Sequence, residues 1–414
     1  MTAYAQETPC VEYGLVNGFT SGPPGYGGAF AVVLACLAAA CGADDAIQRV
    51  KAEVDTIGEV VVIRNGTGLW RESEQWQVIE EFRVGSDWGE SPDEGLVRSL
   101  NTSVTLGPNG RIFVLEYATD RVVVFSHDGE FVRSFGGSGE GPGELLGPMA
   151  MAWDGTDRLW VGDGRGRYHV FDSTGVIQKT VPRILWAVRR IQLPLVWEAG
   201  GTLVEEAGDE GVVLFLRVDT LGHFVDTMAV IPAPETSKGF RGLRFRPSWE
   251  SLHFVVGYYS PDLRWSLAPD GTIWSAETGQ LRLVQIAPGG DTLRIVETSH
   301  RSTEFDRRDL AMIAKGLKEA GISREDVELV RPVVHGIHVM DDGHILVGIV
   351  EEVGEIPSTF DVFDPEGFFL GTIDLGFGIS RRNLPALVGD TIVAVVPGAL
   401  DVPYLVRATI RRAR

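Results

Sequence analysis

"PNGRIFVLEYATDRVVVFSHDGEFVRSFGGSGEGPGEL", residues Pro108 to Leu145, is the stretch whose reading decides the fold. Asn109-Gly110 and Asp128-Gly129 supply the positive φ that tight hairpin turns require, and short β-rich runs flank each pair. Two hairpins in succession make a four-stranded antiparallel meander, the unit of a propeller blade.

The same pattern recurs. Six turn signals each precede a β-rich run: "PNGRIFV", "GTDRLWV", "AGGTLVE", "PDGTIWS", "DDGHILV" and "VGDTIVA". A second hairpin follows most of them, as in "YHVFDSTGVIQKTV", "LFLRVDTLGHFVDTM", "VQIAPGGDTLRIV" and "FDVFDPEGFFLGTI". From Gly110 to Asp157, on to Gly201, and from Gly343 to Asp390, the turns are 44 to 47 residues apart. Gly201 to Gly271 and Gly271 to Gly343 each carry about 25 extra residues, on a blade period of about 40–50. A β-sandwich with periodic turns would not repeat six meanders in one register.

The chain ends complement each other. After the sixth turn only two more strands fit, ending in "PYLVRATIRR", so the last blade lacks its outer strand. An orphan strand near the front, "WQVIEEFRV" from Trp76 to Val84, can supply it and cover an open sheet edge. The earlier "EVVVIRNG" reads as one more strand outside the ring, without an assigned partner. The expected fold is all-β: a six-bladed β-propeller over residues 56–414, closed by an N-terminal strand that completes the C-terminal blade. Insertions fall at about 233–261 and 302–330. The second reads as a short helix, with Leu310, Ile313, Ala314 and Leu317 at helical spacing. Thr303 with Asp306 resembles a capping box at its start, and Gly321 is the expected stop.

The glycine-rich "GGSGEGPGEL" lies between the last strand of one blade and the first of the next. No Gly-Lys-Ser/Thr follows it, the GxGxxG spacing is not met, and a strand rather than a helix comes next. It reads as a corner where glycine permits a sharp change of direction, not as a phosphate loop.

The formal charge of −20, with only five lysines among 37 basic residues, excludes nucleic-acid binding and a polybasic membrane patch. The three cysteines, Cys10, Cys36 and Cys41, all precede the repeats, so packing and strand pairing alone hold the body. The apolar run from Ala29 to Ala40 is too short to span a bilayer, which takes about 20 residues. It has the length of a signal-peptide core, and the segment looks like a bacterial lipoprotein signal. Cleavage before Cys41 would leave that cysteine to be acylated. Cutting before Cys36 would leave apolar "LAAA" on the mature end. Residues 1–40 are then a signal peptide and 41–55 a linker. The expected location is a bacterial cell envelope, facing the periplasm or exterior, with membrane contact only through the lipid.

Residues 108–145 also resemble a blade of the NHL-type, six-bladed, TolB-like propellers. The chain is most similar to bacterial lipoproteins known as six-bladed β-propeller proteins, in which a "GEGPGEL" segment follows a blade's last strand. That resemblance covers roughly residues 56–414 and implies blades, not chemistry.

Both insertions interrupt blade-to-blade connections, which share a face with the loops joining strands two and three of each blade. Glu116, Asp163 and Glu277 fall at the ends of second strands on that face, with Glu206 nearly in register. Converging there, they could hold Ca²⁺ or Zn²⁺, the arrangement of a metal-dependent hydrolase similar to six-bladed lactonases. In an acidic chain the alternative is that each is a turn residue paired with a neighbouring arginine. Starts of innermost strands put Asn101, Gln192, Arg264, His335 and Arg382 at the channel mouth. His335 and His338 face opposite sides of a regular strand unless Gly336 permits a bulge. The first insertion is basic and partly aromatic (Lys238, Arg241, Arg244, Arg246, Trp249, Tyr258, Tyr259), a local positive cluster for an anionic ligand. No nucleophile elbow, HExxH, Walker motif or Ser-His-Asp arrangement is readable. The favoured expectation is a lipid-anchored monomeric binding or scaffold module without a cofactor. Its partner would be a protein, peptide or cell-envelope glycan.

Overall fold

The computed structural model describes residues 52–85, 97–98, 100, 102–183, 196–198, 201–209, 211–234, 250–298, 303–354, 356–380, 383–398 and 401–413. Six antiparallel meanders follow one another along the chain. Blade 1 is Thr102–Leu106, Ile112–Glu116, Arg121–Phe125 and Phe131–Gly136, and blade 2 is Ala150–Trp153, Arg158–Gly162, Arg167–Asp172 and Ile177–Pro182. Blade 3 is Val196–Trp197, Leu203–Asp209, Val212–Val218 and Phe224–Pro232, and blade 4 is Leu263–Leu267, Ile273–Glu277, Arg282–Ile286 and Thr292–Thr298. Blade 5 is Val334–Val339, Ile345–Ile349, Thr359–Phe363 and Phe369–Asp374, and blade 6 opens with Ala386–Val388, Thr391–Pro397 and Pro403–Arg411.

The middle strands explain why these sheets stand side by side. Val122, Val123 and Val124 are all fully buried, although neighbours on a strand point to opposite faces. Both faces of the sheet must therefore be covered. Val122 and Val124 join Phe113 and Leu115 against Met151, Leu159, Val161 and Phe171 of blade 2. Val123 joins Ile112, Val114 and Phe125 against Val393, Val395 and Leu405 of blade 6. Equivalent apolar layers lie between blades 2 and 3, 3 and 4, 4 and 5, and 5 and 6, which closes the ring.

The front of the chain wraps the outside of that ring. Strands β1 (Ala52–Ile57) and β2 (Val60–Asn65) form a hairpin, and β2 pairs in parallel with the outer strand of blade 4. This gives "EVVVIRNG" the partner that sequence reasoning did not find. The pairing begins at Ala52, inside the stretch read as linker. Asn65 then bridges to blade 5: Nδ2 donates to Gly367 O at 3.0 Å and Oδ1 accepts from Phe369 N at 3.0 Å. Leu69 and Trp70 hydrogen-bond Phe369 O and Leu370 O at 3.1 and 2.7 Å. Strand β3 (Gln77–Val84) completes blade 6, antiparallel to the last strand, with Gln77 opposite Arg411 and Val84 opposite Leu405. The expected closure is the observed one.

The glycine-rich segment is a stitched corner. Gly137 N donates to Asp120 O at 2.7 Å, and the Asp120 carboxylate accepts from Ser138 Oγ at 2.5 Å and Gly147 N at 2.9 Å. Gly164 N of blade 2 donates to Leu146 O at 3.0 Å, and Leu145 is fully buried between blades 1 and 2. Asp120 itself sits at φ 51, in the left-handed region, where Asp is among the few side chains tolerated.

Both insertions are helical, where only one helix was expected. Helix α1 (Glu250–Tyr259) precedes blade 4 and helix α2 (Arg307–Ala320) precedes blade 5. Leu252, Val255 and Tyr259 pack with Ile313, Leu317, Val327 and Leu329 and with Val350 and Val353 of the blade 5 loop. The buried stripe of α2 is Asp309, Ile313, Gly316 and Leu317, whereas Leu310 is 54% exposed. Its N-cap is Asp306, in reciprocal hydrogen bonds with Asp309, rather than the Thr303–Asp306 pair expected, and Gly321 ends it in the left-handed conformation.

The strap predicts a sharp glycine requirement. A Cβ at Gly68 would lie 2.7 Å from Leu370 O and 3.0 Å from Gly371 Cα, both backbone atoms that cannot swing away. Gly68→Ala should cost about 1–3 kcal/mol. Gly208→Ala, where nothing lies within 4 Å, should be close to neutral. Urea unfolding of the two variants checks the contrast, and equal stability would contradict the strap's close approach.

Candidate functional site

On the insertion face, the acids at the ends of second strands are turn clamps. Asp163 is fully buried; its Oδ1 accepts from the backbone N–H groups of Arg165 and Arg167, each at 3.0 Å. Its Oδ2 takes Arg167 Nε and Nη2 at 2.9 and 2.7 Å and lies 3.1 Å from His169 Nε2. Burial opposes ionisation there, yet the hydrogen bonds from His169 and Arg167 hold the carboxyl below its ordinary value. Glu116, also fully buried, accepts from Thr119 Oγ1 at 2.8 Å, Arg121 Nε at 2.6 Å and the backbone N–H of Arg98. Glu206 accepts from Trp265 Nε1 of blade 4 at 2.5 Å. Glu277 is exposed.

These carboxylates do not converge. A second strand sits one ladder spacing, about 4.8 Å, outside the inner strand, so its end stays with its own blade. Among the described residues no three His, Cys, Asp or Glu side chains come close enough to hold a metal ion. Glu116 and Asp163 are tied to the arginine that opens the next strand, the alternative raised by the sequence.

Two of the proposed channel-mouth residues do meet. Arg264 Nε, from the inner strand of blade 4, donates to His335 O of blade 5 at 2.9 Å, and Arg264 also pairs with the Asp262 carboxylate. Lower on the same strands, Val339 N donates to Ser266 Oγ at 3.1 Å. The pairing of blade 5 shifts register between Val334 and Gly336, placing a bulge at His335. His338 is half-buried as a residue, and burial pushes its imidazole down to about 4. Tyr259 lies in the cap core and donates to Asp309 Oδ1 at 2.8 Å; burial, reinforced by Asp309, pushes its phenol up. Cys41, Asn101, Gln192, Arg241, Arg244 and Arg382 lie outside the described residues, as do Lys238, Arg246 and Trp249.

Sequence reasoning missed a buried ion pair between blades 2 and 3. Arg183 Nε donates to Glu205 Oε1 at 2.7 Å, and the two side chains are 3% and 1% exposed. Among the described residues Glu205 Oε2 and the Tyr168 hydroxyl have no hydrogen-bond partner, and the Arg183 guanidinium lies 5.8 Å from the Tyr168 ring centre. Burial pushes the Glu205 carboxyl up to about 8. The signal was present in "LVEEAGD": two consecutive acids on a strand covered on both faces must both be buried.

The cap and the buried pairs all belong to one frame. The chain is a six-bladed β-propeller. A family profile described as a 6-bladed beta-propeller matches residues 90–158. No curated protein sequence matches the chain. Among solved structures, a Bacteroides fragilis protein described as exported is similar at 11% identity, with 85% of this chain and 100% of that chain covered and a TM-score of 0.49. Virginiamycin B lyase from Staphylococcus aureus is similar at 8% identity, covering 81% of this chain and 99% of that chain, with a TM-score of 0.40. Neither likeness bears on what this propeller binds or does.

Removing one half of the buried pair should be far worse than removing both. Arg183→Met leaves Glu205 without its cation and should cost about 3–5 kcal/mol, whereas Arg183→Met with Glu205→Leu should regain most of that loss. Thermal unfolding of the single and double variants measures the difference. Equal destabilisation would mean that the pair is not coupled.

Proposed function

We propose that this propeller is a lipid-anchored cell-envelope binding module whose insertion face engages a polypeptide partner. The two-helix cap carries this reading. Residues 137–149 suffice to join blades 1 and 2, so ring construction does not require the long connections 233–262 and 299–333. These instead build a small second core over blades 4 and 5. Rigid frames with elaborated loops on one face are a recurring arrangement for recognition. Leu310 on α2 and Ile356 in the blade 5 loop, 54% and 40% exposed, offer apolar contacts on that face, and Tyr117 of blade 1 adds an aromatic one at 40%. Arg308 Nη1 pairs with Glu352 at 3.2 Å, which fastens the start of α2 to the same blade 5 loop.

Lipid attachment at Cys41 is supported by the apolar run Ala29–Ala40 that precedes it and the polar Gly42–Asp45 that follows. The reading as a metal-dependent hydrolase has no comparable support, since Glu116 and Asp163 are held in arginine clamps.

A photo-crosslinking residue placed at 310, 356 or 117 in the native host should capture a discrete partner. The same residue at Val225, on the outer strand of blade 3, should not. Equal capture at all four positions would remove the preference for this face. Metabolic labelling with a palmitate analogue should mark the wild-type chain and be lost in Cys41→Ser. Labelling that persists in that variant would move the attachment to Cys36 or abolish the reading.

A further inference from the structure

The side of blade 2 that faces blade 1 carries a hydroxyl, an imidazole and a carboxylate in one line. His169 and Thr180 are a cross-strand pair on the last two strands of the blade, and Thr180 Oγ1 lies 3.5 Å from His169 Nδ1. His169 Nε2 lies 3.1 Å from Asp163 Oδ2. We propose that Thr180 is an activated nucleophile that takes an acyl group from a reactive ester, with His169 as its general base and Asp163 as the group that orients the base. No residue of the helical cap takes part.

The proton positions follow from the carboxylate end of the line. Although burial opposes it, hydrogen bonds from His169 and Arg167 keep Asp163 ionised, so its Oδ2 can only accept. His169 Nε2 must then carry the hydrogen, which leaves the lone pair of the neutral ring on Nδ1. The Thr180 hydroxyl donates to that lone pair. A hydroxyl, a base that takes its proton and a third group that orients the base are the parts shared by enzymes that transfer acyl groups through an alcohol. The contact between nucleophile and base is commonly long until substrate is bound.

Exposure divides the roles. Asp163 and His169 are 0% and 1% exposed, whereas Thr180 is exposed, so an ester reaches the oxygen while its base stays shielded. Packing does not require an imidazole here. The matching cross-strand pair of blade 1 is Val123 with Ser134, and Val123 is fully buried without a polar side-chain atom. Burying a ring with two polar nitrogens costs free energy unless both are used. In blade 2 one nitrogen serves Asp163 and the other serves Thr180.

Thr180 stands on the outer strand of its blade, open to solvent, so the donor must bring its own reactivity. This fits esters with a good leaving group, a phenol or a thiol. Oγ1 attacks the acyl carbon and the hydroxyl proton passes to Nδ1. The bond from the acyl carbon to the phenol oxygen or thiol sulfur breaks, and the departing anion takes the proton from Nδ1. The products are an acyl-threonine ester and a free phenol or thiol, with His169 neutral again.

The test treats the full chain with p-nitrophenyl acetate, follows release of p-nitrophenol, and locates the acetyl group by peptide mass spectrometry. Thr174, exposed in the turn of the same hairpin, is the internal reference, since its Oγ1 donates to the Asp172 carboxylate at 2.6 Å instead of to an imidazole. Thr180 should be acetylated about a hundredfold faster than Thr174, the lower end of what a positioned base contributes. Thr180→Ser should keep that preference and Thr180→Val should remove the product, and both should stay folded because the side chain is exposed. His169→Gln removes the base, and Asp163→Asn supplies an amide that can donate to Nε2 and reverse the tautomer. Each should bring Thr180 down to the rate of Thr174. Should either of these buried variants fail to fold, the wild-type ratio still decides. Equal acetylation of Thr180 and Thr174, none at Thr180, or an unaltered ratio in either folded buried variant would overturn the proposal.

Discussion

Closure of the ring by β3 is the constraint on which the rest of this molecule depends. Each sheet buries both of its faces against neighbours, so an open ring would expose two apolar faces at once, those between blades 6 and 1 or between 5 and 6. Blade 6 has its own three strands, but its last one, Pro403–Arg411, would be a long open edge without β3. Just past that strand, Arg412 stacks 4.5 Å from the Trp76 ring centre and pairs with Asp390 at 2.7 Å and with the Asp342 carboxylate. A single guanidinium thus ties the entry to β3, the end of the chain, blade 6 and blade 5. The Asp342 carboxyl, although burial opposes it, is held down at about 2 by Arg412 and His344. This clasp is therefore fully present above the ordinary carboxylate range and is lost as pH falls towards that value.

Much of this architecture was legible because it is local. Turn dipeptides announce hairpins within a few residues, and the alternation of Trp76–Val84 together with a missing outer strand left few ways to pair the ends. What escaped was decided by tertiary context. Helix α1 is written in "ESLHFVVGYY", whose β-branched and aromatic residues favour strands in isolation. Only the partner surface of α2 and the blade 5 loop makes Leu252, Val255 and Tyr259 a helical stripe. The one-position offset of the buried face of α2 has the same origin: Leu310 and Ile313 both fit the helical period, and packing chose Ile313.

The carboxylates show the limit of reading chemistry from spacing. Their regular recurrence is real, but the period belongs to the turns. Asp154, Asp172 and Asp219 each offer Oδ1 to the backbone N–H groups two and four residues ahead, as Asp163 does on the insertion face. Such side chains substitute for a turn's missing hydrogen bonds. Six meanders need many of them, and that need gives the carboxylates their regular spacing.

The same two inner strands, Leu263–Leu267 and Val334–Val339, connect the two ends of interest. The helical cap stands over their starts, and a cavity of about 680 Å³ lies at their ends, where Leu267 and Val339 line it. Five strand residues separate the ends by about 17 Å. Between them, Arg264 with His335 and Val339 with Ser266 lash the strands together, and buried layers hold blades 4 and 5 against each other and against blades 3 and 6. To transmit a shift from one end to the other, these strands would have to slide past close-packed neighbours, and such interiors resist small displacements. The physical expectation is therefore that cap and cavity act independently, and that the blades serve as a fixed spacer between them.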